Sequence, residues 1–314
     1  MSIAVIGQGF VGGSLTTVFS ERGFTVYTYD KTSKVTACSH ELSATWTLRG
    51  MIDYVENVGP INGKKFSGIY FVCVPTPMYK DGSADLTIVE SILEELSCIE
   101  GERIAVVKST VPPGSVDRWN KKYNNNGLYV IFNPEFLTEA NAINDMRVQN
   151  RIILGGPRPY INTVRNVFMR AFPNVPIIKT SSTTAEMVKY TTNCFLSVKV
   201  SFANEVSQIC EALDNDGLNI DYDKVIEYSK LDKRLGDTHW SVPGPVPTNE
   251  GHYARGFGGH CFPKDLNALM NVARYYGINP TVMQASWDKN LEVRSHNDRD
   301  WEKQIGRAIS KKNT

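Results

Sequence analysis

Cys261 lies in the run Arg255-Gly256-Phe257-Gly258-Gly259-His260-Cys261-Phe262-Pro263-Lys264-Asp265, just ahead of a helical pattern over residues 266–276. Pro263 suits a first helical turn, which puts the thiol at or just before a helix N-terminus. That position favours the thiolate, and the glycines leave room for a substrate to reach the sulfur. The bland fate of a cysteine is to be a small buried hydrophobe. Cys38, Cys73, Cys98, Cys194 and Cys210 fall in helix or strand patterns and read that way; Cys261 does not. Asp265 follows one turn later, within reach of the same spot, and His260 reads as a cap or orienting group. Lys189 and Asn193 are four apart in a long helical stretch and share one face. Alone they read as a solvated polar stripe. Beside a thiolate they read as an ammonium and an amide aimed at a developing oxyanion.

A second signature opens the chain. An apolar run over residues 3–6 leads into Gly7-Gln8-Gly9-Phe10-Val11-Gly12, an amphipathic stretch follows, and a second apolar run over residues 24–29 ends in Asp30. Gly7 permits a tight turn, Gly9 lets backbone N–H groups approach a pyrophosphate, and Gly12 lets helix and strand pack closely. Asp30 stands where a carboxylate accepts from a ribose 2′-hydroxyl and repels a 2′-phosphate, which favours NAD over NADP.

These groups need a scaffold. Further strands are expected over residues 69–74, 104–107, 128–132 and 152–154, with helices over residues 86–96 and 115–123 between them, giving a doubly wound, mostly parallel α/β sheet. Ligands in such sheets bind beyond the carboxyl ends of the strands. There the sequence places Val74-Pro75-Thr76-Pro77, Lys108-Ser109-Thr110 and Asn133-Pro134-Glu135-Phe136-Leu137-Thr138-Glu139. Residues 184–213 hold neither proline nor glycine, and Met187, Thr191, Phe195, Val198, Phe202, Val206, Ile209 and Leu213 recur at helical spacing. A helix of ~30 residues is about 45 Å long, more than a domain needs, so a subunit interface is expected along it. The expected division is a nucleotide-binding domain over residues 1–182 and an all-helical domain over residues 183–314.

Composition agrees. The chain has 314 residues, 41% hydrophobic and 21% charged, with a formal net charge of +1. With no basic stripe, nucleic acid is not the expected partner. No apolar run is long enough for a membrane span, and the first residues lack the marks of a signal peptide. Six cysteines without paired spacing fit reduced thiols in a cytoplasm. No metal is expected.

The motifs together resemble the UDP-glucose/GDP-mannose dehydrogenase family. They are GQGFVG at 7–12, VCVPTP at 72–77, KSTVPPG at 108–114, NPEFLTE at 133–139, the helix segment 189–195 and GFGGHCFPKD at 256–265, in the family's order. The resemblance implies a four-electron oxidation of a sugar C6 alcohol to a carboxylate with NAD, through a thiohemiacetal and a thioester on Cys261. By matching positions it implies that Lys189 and Asn193 stabilise the oxyanions. Asp265 and Thr110 hold or activate water, and Glu135 is the acid/base. NAD would contact Gly7, Gly9, Phe10, Val11, Gly12, Asp30, Val74, Pro75, Thr76, Ser109, Thr110 and Glu139. The sugar nucleotide would contact Glu135, Phe136, Leu137, Lys189, Asn193, Phe257, Gly258 and Lys264. Arg234 resembles the family arginine that reaches the substrate across a homodimer.

Phe262-Pro263-Lys264-Asp265 looks most like the UDP-glucose branch; GDP-mannose or a UDP-N-acetylhexosamine are the alternatives. The sequence departs from the family in a short segment between Asp30 and residue 69, in Ala140 where glycine is usual, and in having a charged tail, expected to be helical over residues 295–311 and disordered from residue 310, in place of the family's third, UDP-binding domain. Rival expectations are a two-electron dehydrogenase of the β-hydroxyacid type, which needs no thiolate, and a nucleotide binder without turnover.

Overall fold

The computed structural model describes residues 1–31, 47–57, 66–245 and 251–313. Cys38 and the segments 32–46, 58–65 and 246–250 lie outside the described residues. The chain forms two compact units: Met1–Thr76 with Leu86–Lys189, and Pro77–Asp85 with Tyr190–Thr314.

The first unit is a seven-stranded sheet. Its strands are β1 (Ser2–Ile6), β2 (Thr25–Tyr29), β3 (Phe66–Val72), β4 (Arg103–Val107), β5 (Leu128–Phe132), β6 (Ile152–Gly155) and β7 (Ile177–Thr180), in the spatial order β2-β1-β3-β4-β5-β6-β7. Neighbours from β2 through β5 pair parallel, β5 and β6 pair antiparallel, and β6 and β7 pair parallel. Alternate residues of each strand feed two cores. Ala4, Ile6, Tyr70, Val72, Ala105 and Val107 pack under helices α2 (Leu48–Asn57), α3 (Thr87–Ser97) and α4 (Ser115–Tyr123). Ile3, Val5, Ile69, Phe71, Ile104 and Val106 pack under α1 (Phe10–Glu21), α5 (Ala142–Arg147) and α6 (Tyr160–Ala171). Burial on both faces is what a parallel sheet requires. The chain leaves β1 toward β2 on one side and returns to β3 on the other, so the switch in strand order lies between β1 and β3, where such sheets bind ligands. The expected strands and helices are found to within a few residues. β7 was not expected; Ile178 and Lys179 are exposed, so this short edge strand carries too weak an alternation to be read.

The long helix α7 (Ser182–Asn215) has 34 residues. The second unit continues with α8 (Tyr222–Ser229), α9 (Cys261–Tyr275) and α10 (Thr281–Val293). Its core joins Tyr190, Cys194, Phe257, Leu266, Leu269 and Met270. α7 does not follow the polarity of a simple surface helix: beside buried Tyr190 and Cys194 it buries several polar side chains and leaves large apolar ones exposed. Glu186, Asn193, Ser197, Ser201, Asn204 and Ser207 are buried, while Phe195 and Phe202 are 65% and 56% exposed.

The tail is not the α-helix expected from its charge pattern. After α10 it forms short 3-10 turns at His296–Asp298, Asp300–Lys303 and Lys311–Asn313. Gly306, at φ +82°, breaks helical geometry, and Trp301 and Ala308 anchor the segment in a small core with Met78. Ser310, expected at the start of a disordered end, is fully buried and donates to the Asp85 carboxylate at 2.5 Å. The Met78 N–H donates to the Ala308 carbonyl, and the Ser310 N–H to the Met78 carbonyl.

Candidate active site

In the first unit the glycine turn divides its work as its spacing requires. Gly7 has φ +90°, and a Cβ on it would strike the Cys73 carbonyl; a Cβ on Gly12 would strike the Gly7 carbonyl. Gly9 is exposed with open space where a Cβ would stand, and it is the N-cap of α1 with no side-chain cap bond. A helix N-terminus that opens on a glycine is the kind of place that receives a phosphate. Phe10 and Val11 follow, half-buried, in the first turn. Asp30, just past β2, accepts from the Gln8 N–H at 2.6 Å, which ties the acid to the turn. These residues fit an NAD.

The loops after β3, β4 and β5 are wired together. The Ser109 hydroxyl donates to the Val74 carbonyl at 2.6 Å and accepts from the Val74 N–H at 3.1 Å, and the Thr76 hydroxyl donates to the Thr110 carbonyl at 2.7 Å. Ser109 and Thr76 thus brace the edge of the expected cofactor site with their own hydroxyls, and Pro75 lies exposed between them. The Lys108 ammonium, fully buried, donates to Asn133 Oδ1 at 2.7 Å, and Asn133 Nδ2 donates to the Ile153 carbonyl at 2.8 Å. Burial lowers the Lys108 pKa and pushes the Cys73 thiol up to about 12, so Cys73 is an inert core residue.

Glu135 is buried against Lys189. Lys189 Nζ donates to its carboxylate at 2.9 Å and to its carbonyl at 2.7 Å, and the Leu137 N–H donates to the other carboxylate oxygen at 2.8 Å. Burial alone would raise the Glu135 carboxyl; the ammonium and the Leu137 N–H outweigh it and hold the group below the usual carboxylate range. Glu135 is therefore held as a carboxylate beside the Lys189 ammonium. Phe136 lies under two cations, Arg151 at 4.1 Å and Lys189 at 5.7 Å. Glu139 begins an exposed 3-10 turn. One buried carboxylate was not expected. Glu186 accepts from the N–H groups of Gly114 at 2.6 Å and Val116 at 2.8 Å, capping α4 from α7.

In the second unit Cys261 is the first residue of α9 and half-buried, with His260 at the N-cap position making no side-chain cap bond. Asp265 is buried one turn on. Lys264 Nζ donates to one of its oxygens at 2.5 Å and Asn193 Nδ2 to the other at 2.6 Å. Lys264, expected at the substrate, is thus the buried counter-ion of Asp265. Asn193 and Lys189 are not a solvated stripe: each holds a carboxylate. Cys194 and Cys210 are buried as expected, but Cys98 is exposed.

The glycine run is more constrained than its composition suggests. Phe257, expected at the substrate, has its ring in the core, so it is the backbone of this residue that is left to serve a ligand. The ring packs in the core beside Phe262 and Trp287, and its N–H and carbonyl both bond to Asn290. The glycines do not all open space before the sulfur: among the described residues nothing lies where a Cβ on Gly259 would stand, but a Cβ on Gly256 would strike Asn290 and one on Gly258 would strike Arg294 and Asp300. Arg234 is exposed and paired with Asp232 at 2.5 Å.

The chain is similar to known proteins along most of its length. The model of the NAD-binding domain of the UDP-glucose/GDP-mannose dehydrogenase family matches residues 1–171, and that of the family's central domain matches residues 183–292. The chain is 30% identical to the UDP-glucose 6-dehydrogenase of Haloferax volcanii over 315 residues, which cover 92% of this chain and 69% of that one. It is 32% identical to a UDP-glucose 6-dehydrogenase of Bacillus subtilis, over 94% of this chain and 64% of that one. A UDP-glucose dehydrogenase structure from Pyrobaculum islandicum superposes with a TM-score of 0.70 at 26% identity, over 92% of this chain and 67% of that one. The chain spans about two thirds of the length of these proteins.

Proposed function

The chain belongs to the UDP-glucose/GDP-mannose dehydrogenase family, and on that premise we propose that it oxidises the C6 alcohol of UDP-glucose to a carboxylate in two two-electron steps, with Cys261 as covalent nucleophile. The observation that carries this reading is the placement of Cys261. It is the half-buried first residue of a helix, behind a glycine with open space, whereas Cys73 and Cys194 are buried and their thiols pushed up by burial.

NAD, bound at Gly7, Gly9, Phe10, Val11, Gly12 and Asp30, supplies the hydride acceptor. Glu135, kept ionised by Lys189, takes the proton from the sugar hydroxyl as the aldehyde forms. The Cys261 thiolate, favoured by the α9 N-terminus, adds to the aldehyde carbon to give a thiohemiacetal, whose oxyanion Lys189 and Asn193 stabilise. Oxidation at that carbon gives a thioester. Asp265 and Thr110 hold the water that hydrolyses it to carboxylate and free thiol. Arg234 serves the substrate from a second copy of the chain in a homodimer built on α7, whose exposed Phe195, Phe202, Ile209 and Leu213 form one apolar stripe. A cytoplasmic, reduced setting suits the free thiol; among the described residues no helix is long and apolar enough to cross a membrane.

The test is the NADH yield, read by near-ultraviolet absorbance, with limiting UDP-glucose and excess NAD. Two equivalents per sugar are expected from the wild type. One equivalent, together with an active Cys261→Ser variant, would assign the chain to two-electron chemistry and defeat this reading. Silence with UDP-glucose but turnover of GDP-mannose or a UDP-N-acetylhexosamine would change the sugar and keep the chemistry.

A further inference from the structure

We propose that Arg294 and Asp300 are positioning residues for Cys261: a buried ion pair that locks the glycine run in front of α9 and so fixes where, and in what field, the sulfur sits. The proposal rests on the reading of Cys261 as the nucleophile, but its geometry stands by itself.

Residues 255–259 are held by side chains from outside the run. The Gly256 N–H donates to Asn204 Oδ1 at 3.1 Å. Asn290 bonds both the N–H and the carbonyl of Phe257, at 2.7 and 3.1 Å. Arg294 Nη1 donates to the Arg255 carbonyl at 3.1 Å, and the Gly259 N–H donates to Asp300 Oδ2 at 2.9 Å. Arg294 Nη2 closes the frame on Asp300 Oδ1 at 3.0 Å, while Arg294 Nε donates to the Asp298 carbonyl at 2.7 Å. The ion pair is inside the protein, its two side chains only 6% and 14% exposed. Arg294 also lies 5.7 Å from the ring centre of Trp301, the buried anchor of the tail.

This frame explains the glycines. Gly258 must lack a side chain because Arg294 and Asp300 occupy its place, and Gly256 because Asn290 does. A run with three glycines in five residues is intrinsically loose. Here the looseness is used to bring the backbone against the clamp, and the clamp removes it. Two residues past the Asp300 contact stands the thiol. Stabilisation of an anion by a helix N-terminus is confined to about the first turn, so a small displacement of the sulfur changes both its ionisation and its aim.

The charges matter as well as the bonds. Asp300 is an anion bonded to Gly259, on the approach to the helix end that favours the thiolate. Arg294 neutralises it. Removing Arg294 leaves an uncompensated buried carboxylate beside the glycine run, which opposes ionisation of Cys261. Asp300→Asn removes the charge and keeps an oxygen for the Gly259 N–H.

The test follows the rate of iodoacetamide alkylation of Cys261 against pH in the full chain, read from the peptide that contains Cys261 so that other cysteines do not contribute. Arg294→Met is expected to move the midpoint up by about one pH unit, a tenfold loss of thiolate at a given pH. It should lower kcat about tenfold while the affinity for NAD, bound by the first unit, is unchanged. Asp300→Ala should slow alkylation at every pH, because the Gly259 contact is lost; Asp300→Asn keeps that contact but leaves the Arg294 cation unpaired, so it should keep the wild-type limiting rate with a midpoint below the wild-type value. A wild-type midpoint in Arg294→Met and a wild-type alkylation rate in Asp300→Ala, with wild-type circular dichroism, would overturn the proposal. If Arg294→Met fails to fold, the contrast between Asp300→Ala and Asp300→Asn decides it, since equal profiles refute a role for the Gly259 contact. Full turnover by Cys261→Ser would refute the nucleophile without touching the alkylation result.

Discussion

At the scale of single residues, charges in this protein are set by their neighbours. Burial raises the Glu135 carboxyl and Lys189 is the largest of the groups that oppose it, so Lys189→Met leaves only the Leu137 N–H and the Lys108 ammonium against burial. The acid limb of the kcat/KM profile is then expected to move to higher pH, with kcat lowered by about 10²–10⁴ as a proton-transfer group is lost; an unmoved limb would remove Glu135 as the base. Glu186 is the opposite case. Burial pushes its carboxyl up to about 7, against the two N–H groups of α4 that favour the anion. A carboxyl raised in the fold binds its proton more tightly there than in the unfolded chain. Its contribution is full below the unfolded value near 4.5 and is lost as pH rises through about 7. Glu186→Gln cannot ionise, so the difference in stability between wild type and variant should vary by about 1–3 kcal/mol across that window and be flat above it. Chemical denaturation at a series of pH values measures this, and a flat difference throughout would show that Glu186 keeps one protonation state.

At the scale of elements, function is a matter of how closely backbones approach. Gly12→Ala places a Cβ on the Gly7 carbonyl and forces β1 and α1 apart, so NAD affinity by calorimetry is expected to fall about tenfold or more, given the ~1–3 kcal/mol typical of overpacking. Wild-type affinity would mean that the turn does not cradle the pyrophosphate. This element was legible because strand, turn, helix and acid are contiguous in sequence. So was the helical start at Cys261, through Pro263. The pairings were not. Lys189 with Glu135, Asn193 with Asp265 and Glu186 with α4 join residues 54, 72 and 70–72 positions apart, and no local period reports on them. The tail misled for a related reason: its charged residues suit a helix, but Trp301 and Gly306 follow the demands of a core built from distant pieces. β7 escaped because none of its four residues is fully buried, so it carries no apolar alternation to read.

At the scale of the whole molecule, the exposed apolar side chains of α7 predict association. A chain of 35.1 kDa should scatter light as a dimer at micromolar concentration, and Phe195→Glu with Phe202→Glu should scatter as a monomer. A monodisperse wild-type monomer would remove the interface and, with it, the role of Arg234 across it. The segment Pro77–Asp85 bears on assembly in another way. It leaves the sheet unit after β3 yet is held by residues made 225 positions later. At ~5–20 residues per second of synthesis it must wait about 10–45 s for its partner. During that interval the strands on either side of it can already pair. A pause on the ribosome, or a slow codon run between the two, would therefore prolong exposure of Met78 without hindering the sheet; the nascent chain would be cut first by a protease within residues 77–85.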